Sequence, residues 1–149
     1  MAEVRFYHLQ RQRLEEALPA LLEKARERGF RIVVQAGSPE RVKALDALLW
    51  TYRPESFLAH ASGMVALRTA KDQPIWLTAD KENPNEADML MLVDGAAADV
   101  APYKLACEMF DGNDENAVAA ARQRWTAYKA AGHAMTYWQQ GERGWEKRA

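Results

Sequence analysis

The feature that most constrains this chain is an alternation of two hydrophobic periods over residues 4–49. Val4–Leu9 (Val-Arg-Phe-Tyr-His-Leu) is aromatic and β-branched, which predicts a first strand. Arg13–Arg28 then sets Leu14, Leu18, Leu21, Leu22 and Ala25 at helical spacing, with Gly29 as the stop. Pro19 either kinks this helix or marks its true first turn, the preceding residues forming a separate turn. Arg31–Ala36 reads as a buried strand. Ser38 caps a second helix that has Pro39 at its first position and Val42, Leu45, Leu48 and Leu49 inward, to about Leu49. Strand, helix, strand, helix is the pattern of an α/β fold with a largely parallel central sheet.

The alternation continues less regularly. Pro74–Ala79, Met89–Asp94 and Leu105–Phe110 read as strands, and Asn83-Pro84-Asn85 is turn chemistry that could open a short helix. Asn113 or Asp114 caps a final long helix to Ala131, closed by Gly132. No repeat, linker or low-complexity segment interrupts the 149 residues, so one domain over 1–149 is expected, long enough to bury a core. A single cysteine, Cys107, excludes an internal disulfide framework and a Cys-rich zinc site, and fits a reducing cytosol. No apolar run approaches the roughly 18 residues of a membrane span, and the N-terminus lacks a signal-peptide core. A cytoplasmic protein without membrane contact is expected.

The formal net charge of −1 excludes a wholly basic nucleic-acid binder, yet it conceals segregation. Residues 80–115 carry ten acids against Lys81 and Lys104. Between Asn116 and Gly141 there is no acid at all, while Arg122, Arg124, Lys129 and His133 occur. Such short blocks are either solvated faces or a basic surface meant for an acidic partner.

Catalytic chemistry is not visible. Gln10-Arg11-Gln12-Arg13 follows the first strand with no glycine to bring backbone to a phosphate, and Gly37-Ser38-Pro39 is far from a dinucleotide or P-loop signature. His8, His60 and His133 lack metal-ligand spacing, so no metal is expected. Cys107 reads as a small buried residue, and Glu15-Glu16 as surface charge. Neither a catalytic residue nor a cofactor is expected.

Two stretches suit partners instead. Val118, Arg122, Trp125 and Lys129 are spaced by 4, 3 and 4 and share one face of the last helix. Trp125 between two cations either packs inward while the cations snorkel, or forms an aromatic patch for an acidic, apolar peptide or a nucleic-acid strand. Trp50–Phe57 (Trp-Thr-Tyr-Arg-Pro-Glu-Ser-Phe) holds three aromatics that either plug the sheet edge or form a protein-binding hot spot.

Over nearly its whole length the sequence resembles the chi subunits of bacterial DNA polymerase III. The resemblance lies in Phe6-Tyr7-His8-Leu9, in Leu45-Asp46-Ala47-Leu48-Leu49-Trp50 leading to Ser56-Phe57-Leu58, and in Gln73-Pro74-Ile75-Trp76-Leu77. Most telling is Ala121-Arg122-Gln123-Arg124-Trp125-Thr126-Ala127-Tyr128-Lys129-Ala130-Ala131-Gly132. It implies a single-domain, three-layer Rossmann-like α/β fold without enzymatic activity of its own. It also implies an adaptor role in DNA replication, joining the clamp loader to the acidic C-terminal tail of single-stranded DNA-binding protein. DNA would be reached only indirectly. The family's tail-binding arginine and aromatic fall on Arg122 and Trp125; on the same helix face Val118 would line the pocket with Trp125 and Lys129 would attract the tail's upstream acids. The patch for the psi subunit, or for a DNA helicase, falls on Trp50 and Phe57. Thr126 and Val118 stand where some relatives have basic residues, and Ala59 where many have proline. Direct single-stranded nucleic-acid binding is the alternative, and a nucleotide-binding enzyme the weaker third.

Overall fold

A computed structural model describes residues 3–51, 61–62, 74–142 and 144–148. Among these, β1 (Glu3–Leu9), β2 (Ile32–Gln35), β3 (Ala61–Ser62), β4 (Ile75–Thr78), β5 (Met89–Leu92), β6 (Leu105–Asp111), β7 (Ala134–Gly141) and β8 (Gly144–Lys147) form one sheet. Its order is β3-β4-β2-β5-β6-β1-β7-β8, parallel throughout except for the antiparallel β7–β8 hairpin. The expected largely parallel α/β architecture is the observed one. β7 and β8 extend it beyond the last predicted helix, where no strand was read; the signal was present in the β-prone Thr136-Tyr137-Trp138 run and the closely spaced Gly141 and Gly144.

Helices α1 (Leu14–Glu27) and α2 (Pro39–Thr51) cover one face of the sheet, and α3 (Glu115–Ala130) covers the other. α1 runs through Pro19 in its second turn, so Pro19 does not open the helix. There its ring is buried, and the hydrogen bond it cannot donate falls within the first two turns. Ser38 caps α2 as expected, its Oγ accepting from the Arg41 backbone N–H at 3.2 Å. Of the two candidates for the α3 cap, Asp114 is the one used: its carboxylate accepts from the backbone N–H groups of Asn116 and Ala117. Gly132, at φ +88°, ends that helix in the left-handed region that glycine adopts without strain. Asn83-Pro84-Asn85 forms a turn and opens no helix, because the Asn83 side chain closes it by accepting from and donating to Ala87.

Strand alternation divides the core in two. On the α1–α2 side Tyr7, Leu9, Val34, Leu77, Met91 and Cys107 pack against Leu18, Leu22, Leu45 and Leu49. On the α3 side Phe6, Val33, Trp76, Leu90 and Phe110 pack against Ala121. Trp76 is completely buried and its indole Nε1 donates to Glu82 Oε1 at 3.0 Å, the partner that burial of an indole N–H demands. Among the described residues no helix is long and apolar enough to cross a membrane.

Candidate functional site

α3 is amphipathic only weakly, and its inner face is built from rings and a buried ion pair. Val118, Trp125 and Tyr128 are half-buried against the core and Ala121 is fully enclosed. The Trp125 ring meets Phe6 edge-on at 5.4 Å and Tyr137 of β7 edge-on at 5.8 Å. Tyr128 tilts onto Phe6 at 6.0 Å. Of the two dispositions open to Trp125, neither excludes the other here: one part of the ring closes the core and another stays at the surface.

The cations on α3 separate sharply. Arg124 pairs with Glu108 of β6, a carboxylate only 3% exposed. Burial raises the proton affinity of Glu108, while Arg124 and the Tyr128 hydroxyl oppose that rise. Arg122 and Lys129 are exposed and form no ion pair with any described residue. The predicted set of Val118, Arg122, Trp125 and Lys129 thus lies on one helix with a half-buried ring between two free cations.

Two residues that the sequence did not single out as site members adjoin Arg122. His8 of β1 and Tyr137 of β7 share a 2.5 Å hydrogen bond between His8 Nδ1 and the Tyr137 hydroxyl. Burial, and secondarily the charge of Arg122, hold the His8 imidazole below its ordinary pKa and so favour its neutral form. Burial raises the Tyr137 phenol and Arg122 pulls it down. Nε2 of His8 is buried without a hydrogen-bond partner and lies against Gly112. A Cβ on Gly112 would stand 2.0 Å from that nitrogen and 2.4 Å from the Leu9 carbonyl oxygen, so only glycine fits. These neighbours become adjacent only through β1–β7 pairing and could not be found by spacing along the chain.

Trp50 falls within α2, but its side chain lies outside the described residues, as does Phe57.

The end of the sheet where parallel α/β folds hold ligands holds balanced charge. A cleft of about 710 Å³ lies there between the N-terminal regions of α1 and α3, lined by four arginines and four acids. Arg41 bridges Glu15 at 2.7 Å and Asp94 at 2.9 Å. The backbone N–H groups of Gln10, Arg11 and Gln12, which follow β1, all donate to Gln140 Oε1 at 3.0, 2.9 and 3.0 Å. In dinucleotide folds donors at this position face a phosphate; here an internal amide takes them. Gln140 Nε2 in turn donates to Gln12 Oε1 at 2.9 Å. Cys107 is completely buried and its thiol is pushed up to about 12 by desolvation, unsuited to act as a nucleophile. No cluster of three metal-ligating side chains occurs among the described residues; His60 lies outside them.

Known proteins share this sequence pattern. The sequence model of the family described as "DNA polymerase III chi subunit, HolC" matches residues 1–136. A protein from Rickettsia prowazekii (strain Madrid E), described as "Probable DNA polymerase III subunit chi", is 30% identical over 93 residues. That alignment covers 62% of this chain, and the chain spans about half, 55%, of the relative's length. The matched region includes β1 and the whole of α3, the elements that carry Phe6, His8, Arg122 and Trp125, and it shows that the chain belongs to the DNA polymerase III chi subunit family.

Proposed function

We propose that this protein is a non-catalytic adaptor of the bacterial replication complex. It binds the acidic C-terminal tail of single-stranded DNA-binding protein on α3 and links it to the clamp loader. The observation that carries this reading is the half-buried Trp125 set between exposed Arg122 and Lys129, on a segment with no acid from Asn116 to Gly141. An acidic chain approaching that face meets no like-charged side chain on α3 beyond its first turn, and the edge of the Trp125 ring offers apolar surface for a terminal side chain. Family membership supports the same role.

In this mechanism Arg122 takes the terminal carboxylate by a charge-assisted, bidentate contact. Trp125 and Val118 accept the last apolar side chain, and Lys129 attracts the acids upstream. A contact of the first kind acts mainly on dissociation, whereas a rim lysine acts mainly on association and salt dependence. The internal occupation of the β1–α1 donors by Gln140 supports a role without nucleotide chemistry. Trp50 and Phe57 would serve the psi subunit or a helicase, with the protein acting in the cytoplasm.

Fluorescence anisotropy with a labelled acidic tail peptide tests the reading. Wild type should bind, and Arg122→Ala should weaken binding by about 2 kcal/mol, roughly 30-fold. Unchanged binding by Arg122→Ala would remove that residue from the site. No binding by wild type, with tight binding of bare oligonucleotide, would replace the adaptor by a direct single-strand binder, whose affinity should fall steeply with salt.

A further inference from the structure

The opposite face of the sheet carries a pocket that the α3 site does not use. It opens between the C-terminal half of α1 and strands β1, β5, β6, β7 and β8, and has a volume of about 170 Å³. Its walls are apolar: Met91 is fully enclosed, while the half-buried rings of Trp138 and Trp145 bound it on the hairpin side. Trp145 stacks edge-on against Tyr7 at 4.9 Å, and Trp138 Nε1 donates to Thr136 Oγ1 at 3.1 Å, so both rings are held in place.

The charge around this pocket has one sign. Arg5, Lys24 and Arg28 line it, and among the described residues no Asp or Glu does. Arg5 pairs outward with Glu3 at 3.0 Å, leaving the exposed Lys24 and Arg28 without a carboxylate partner among the described residues. Cations at the C-terminal end of a helix suit its dipole, which accounts for Lys24 in the last turn and Arg28 at the C-cap as charges. It does not account for two indole rings and a methionine floor directly beneath them. Burial pushes the Tyr7 phenol up to about 12, so its hydroxyl remains a neutral donor next to Arg5. An apolar cavity near 150 Å³ holds a single benzene ring; this one is slightly larger, and the exposed Lys24 and Arg28 are part of its lining.

We propose that this pocket binds a small monocarboxylic acid carrying one aromatic ring or branched chain, with the apolar group between Trp138 and Trp145 and the carboxylate at Lys24 and Arg28. The site is independent of the one on α3: β1 directs Tyr7 toward this pocket and Phe6 toward Trp125.

Phenylacetate is the probe, added to the full chain while the indole N–H signals of its tryptophans are followed by NMR. The expected result is a saturable shift of Trp138 and Trp145 with little change at Trp125. Neutral phenylacetamide should bind at least about fivefold more weakly, the loss expected for an exposed charge contact. The doubly charge-reversed Lys24→Glu, Arg28→Glu protein should lose about tenfold or more, and both positions are exposed, so its fold should be retained. Arg122→Ala should leave the response intact, which separates this site from the tail-binding proposal. Absence of a shift at millimolar phenylacetate, equal binding of the amide, or tighter binding here of a blocked peptide ending in phenylalanine would each overturn the small-acid assignment.

Discussion

The two faces of the sheet solve the same covering problem differently. On one, α1 and α2 bring Leu18, Leu22, Leu45 and Leu49 onto a mainly aliphatic core with Tyr7, Trp138 and Trp145 at its hairpin edge, and their ionic contacts stay at the surface, as in Arg41 with Glu15 and Asp94. On the other, α3 is the only helix among the described residues, and rings from Phe6, Trp125, Tyr128 and Tyr137 pack against one another between it and the sheet. Its ion pair joins the half-buried Arg124 to the buried Glu108. Trp125 and Tyr128 stay half-buried there, so apolar surface lies beside the exposed Arg122 and Lys129.

The largest test of this contrast compares the two arginines. Arg124→Ala leaves Glu108 charged in a nearly closed site and should cost about 3 kcal/mol of stability. Arg41→Ala breaks contacts in which every partner keeps a quarter or more of its side chain exposed, 26% for Arg41, 37% for Glu15 and 27% for Asp94, and should cost about 1 kcal/mol. Urea unfolding measures both, and equal losses would erase the distinction.

Next in size is Gln140, which ties β7 to the loop after β1. Gln140→Ala leaves three backbone donors without their acceptor and should cost about 2 kcal/mol. Amide hydrogen exchange should accelerate at Gln10, Arg11 and Gln12 while the centre of β1 stays protected. Unchanged exchange there would show that water replaces the amide freely.

The pH dependence should have opposite signs on the two faces. Glu108 is raised above the usual carboxylate range by burial, with Arg124 opposing, so the folded state binds that proton more readily than the unfolded state. Its contribution to stability therefore declines as pH rises from the ordinary carboxylate range through the raised value. For Glu15, burial acts upward, but a backbone hydrogen bond and Arg41 together hold it below that range. Its contribution is complete above the ordinary range and is lost as pH falls through the lowered value. Glu108→Gln should flatten the first slope and Glu15→Gln the second, read from urea midpoints across pH. A common sign for both would refute the contrast. The smallest effect concerns Cys107 in the aliphatic layer: a thiol reagent should modify it only at the rate of unfolding, and rapid reaction would mean that layer opens locally.

The charge pattern shows how far sequence reading reached. The acid-rich stretch 80–115 looked like one block, yet its members serve separate local tasks. Glu82 accepts from Trp76 and from Thr78 Oγ1 at 2.7 Å, Asp88 accepts from the Arg31 backbone at 2.8 Å, and Asp114 caps α3. Glu108 neutralises Arg124, removing one of the three cations that the acid-free segment seemed to offer. Arg122 and Lys129 could be placed on a common face by helical period alone, because that period is local. His8 and Tyr137 could not be joined to them, since 129 residues separate the pair.

By itself the sequence determined the alternation of elements, the cap at Ser38, two candidates for the α3 cap, the family, and the α3 face bearing Val118, Arg122, Trp125 and Lys129. Each follows from interactions between residues a few positions apart, or from the order of short motifs. Only tertiary structure decided which cations remain free, that the β7–β8 hairpin completes the sheet, and that Gln140 fills the turn after β1. Arg124 meets Glu108 from 16 residues away and Gln140 meets the turn after β1 from nearly 130, so burial and distance, not spacing, determine which groups meet.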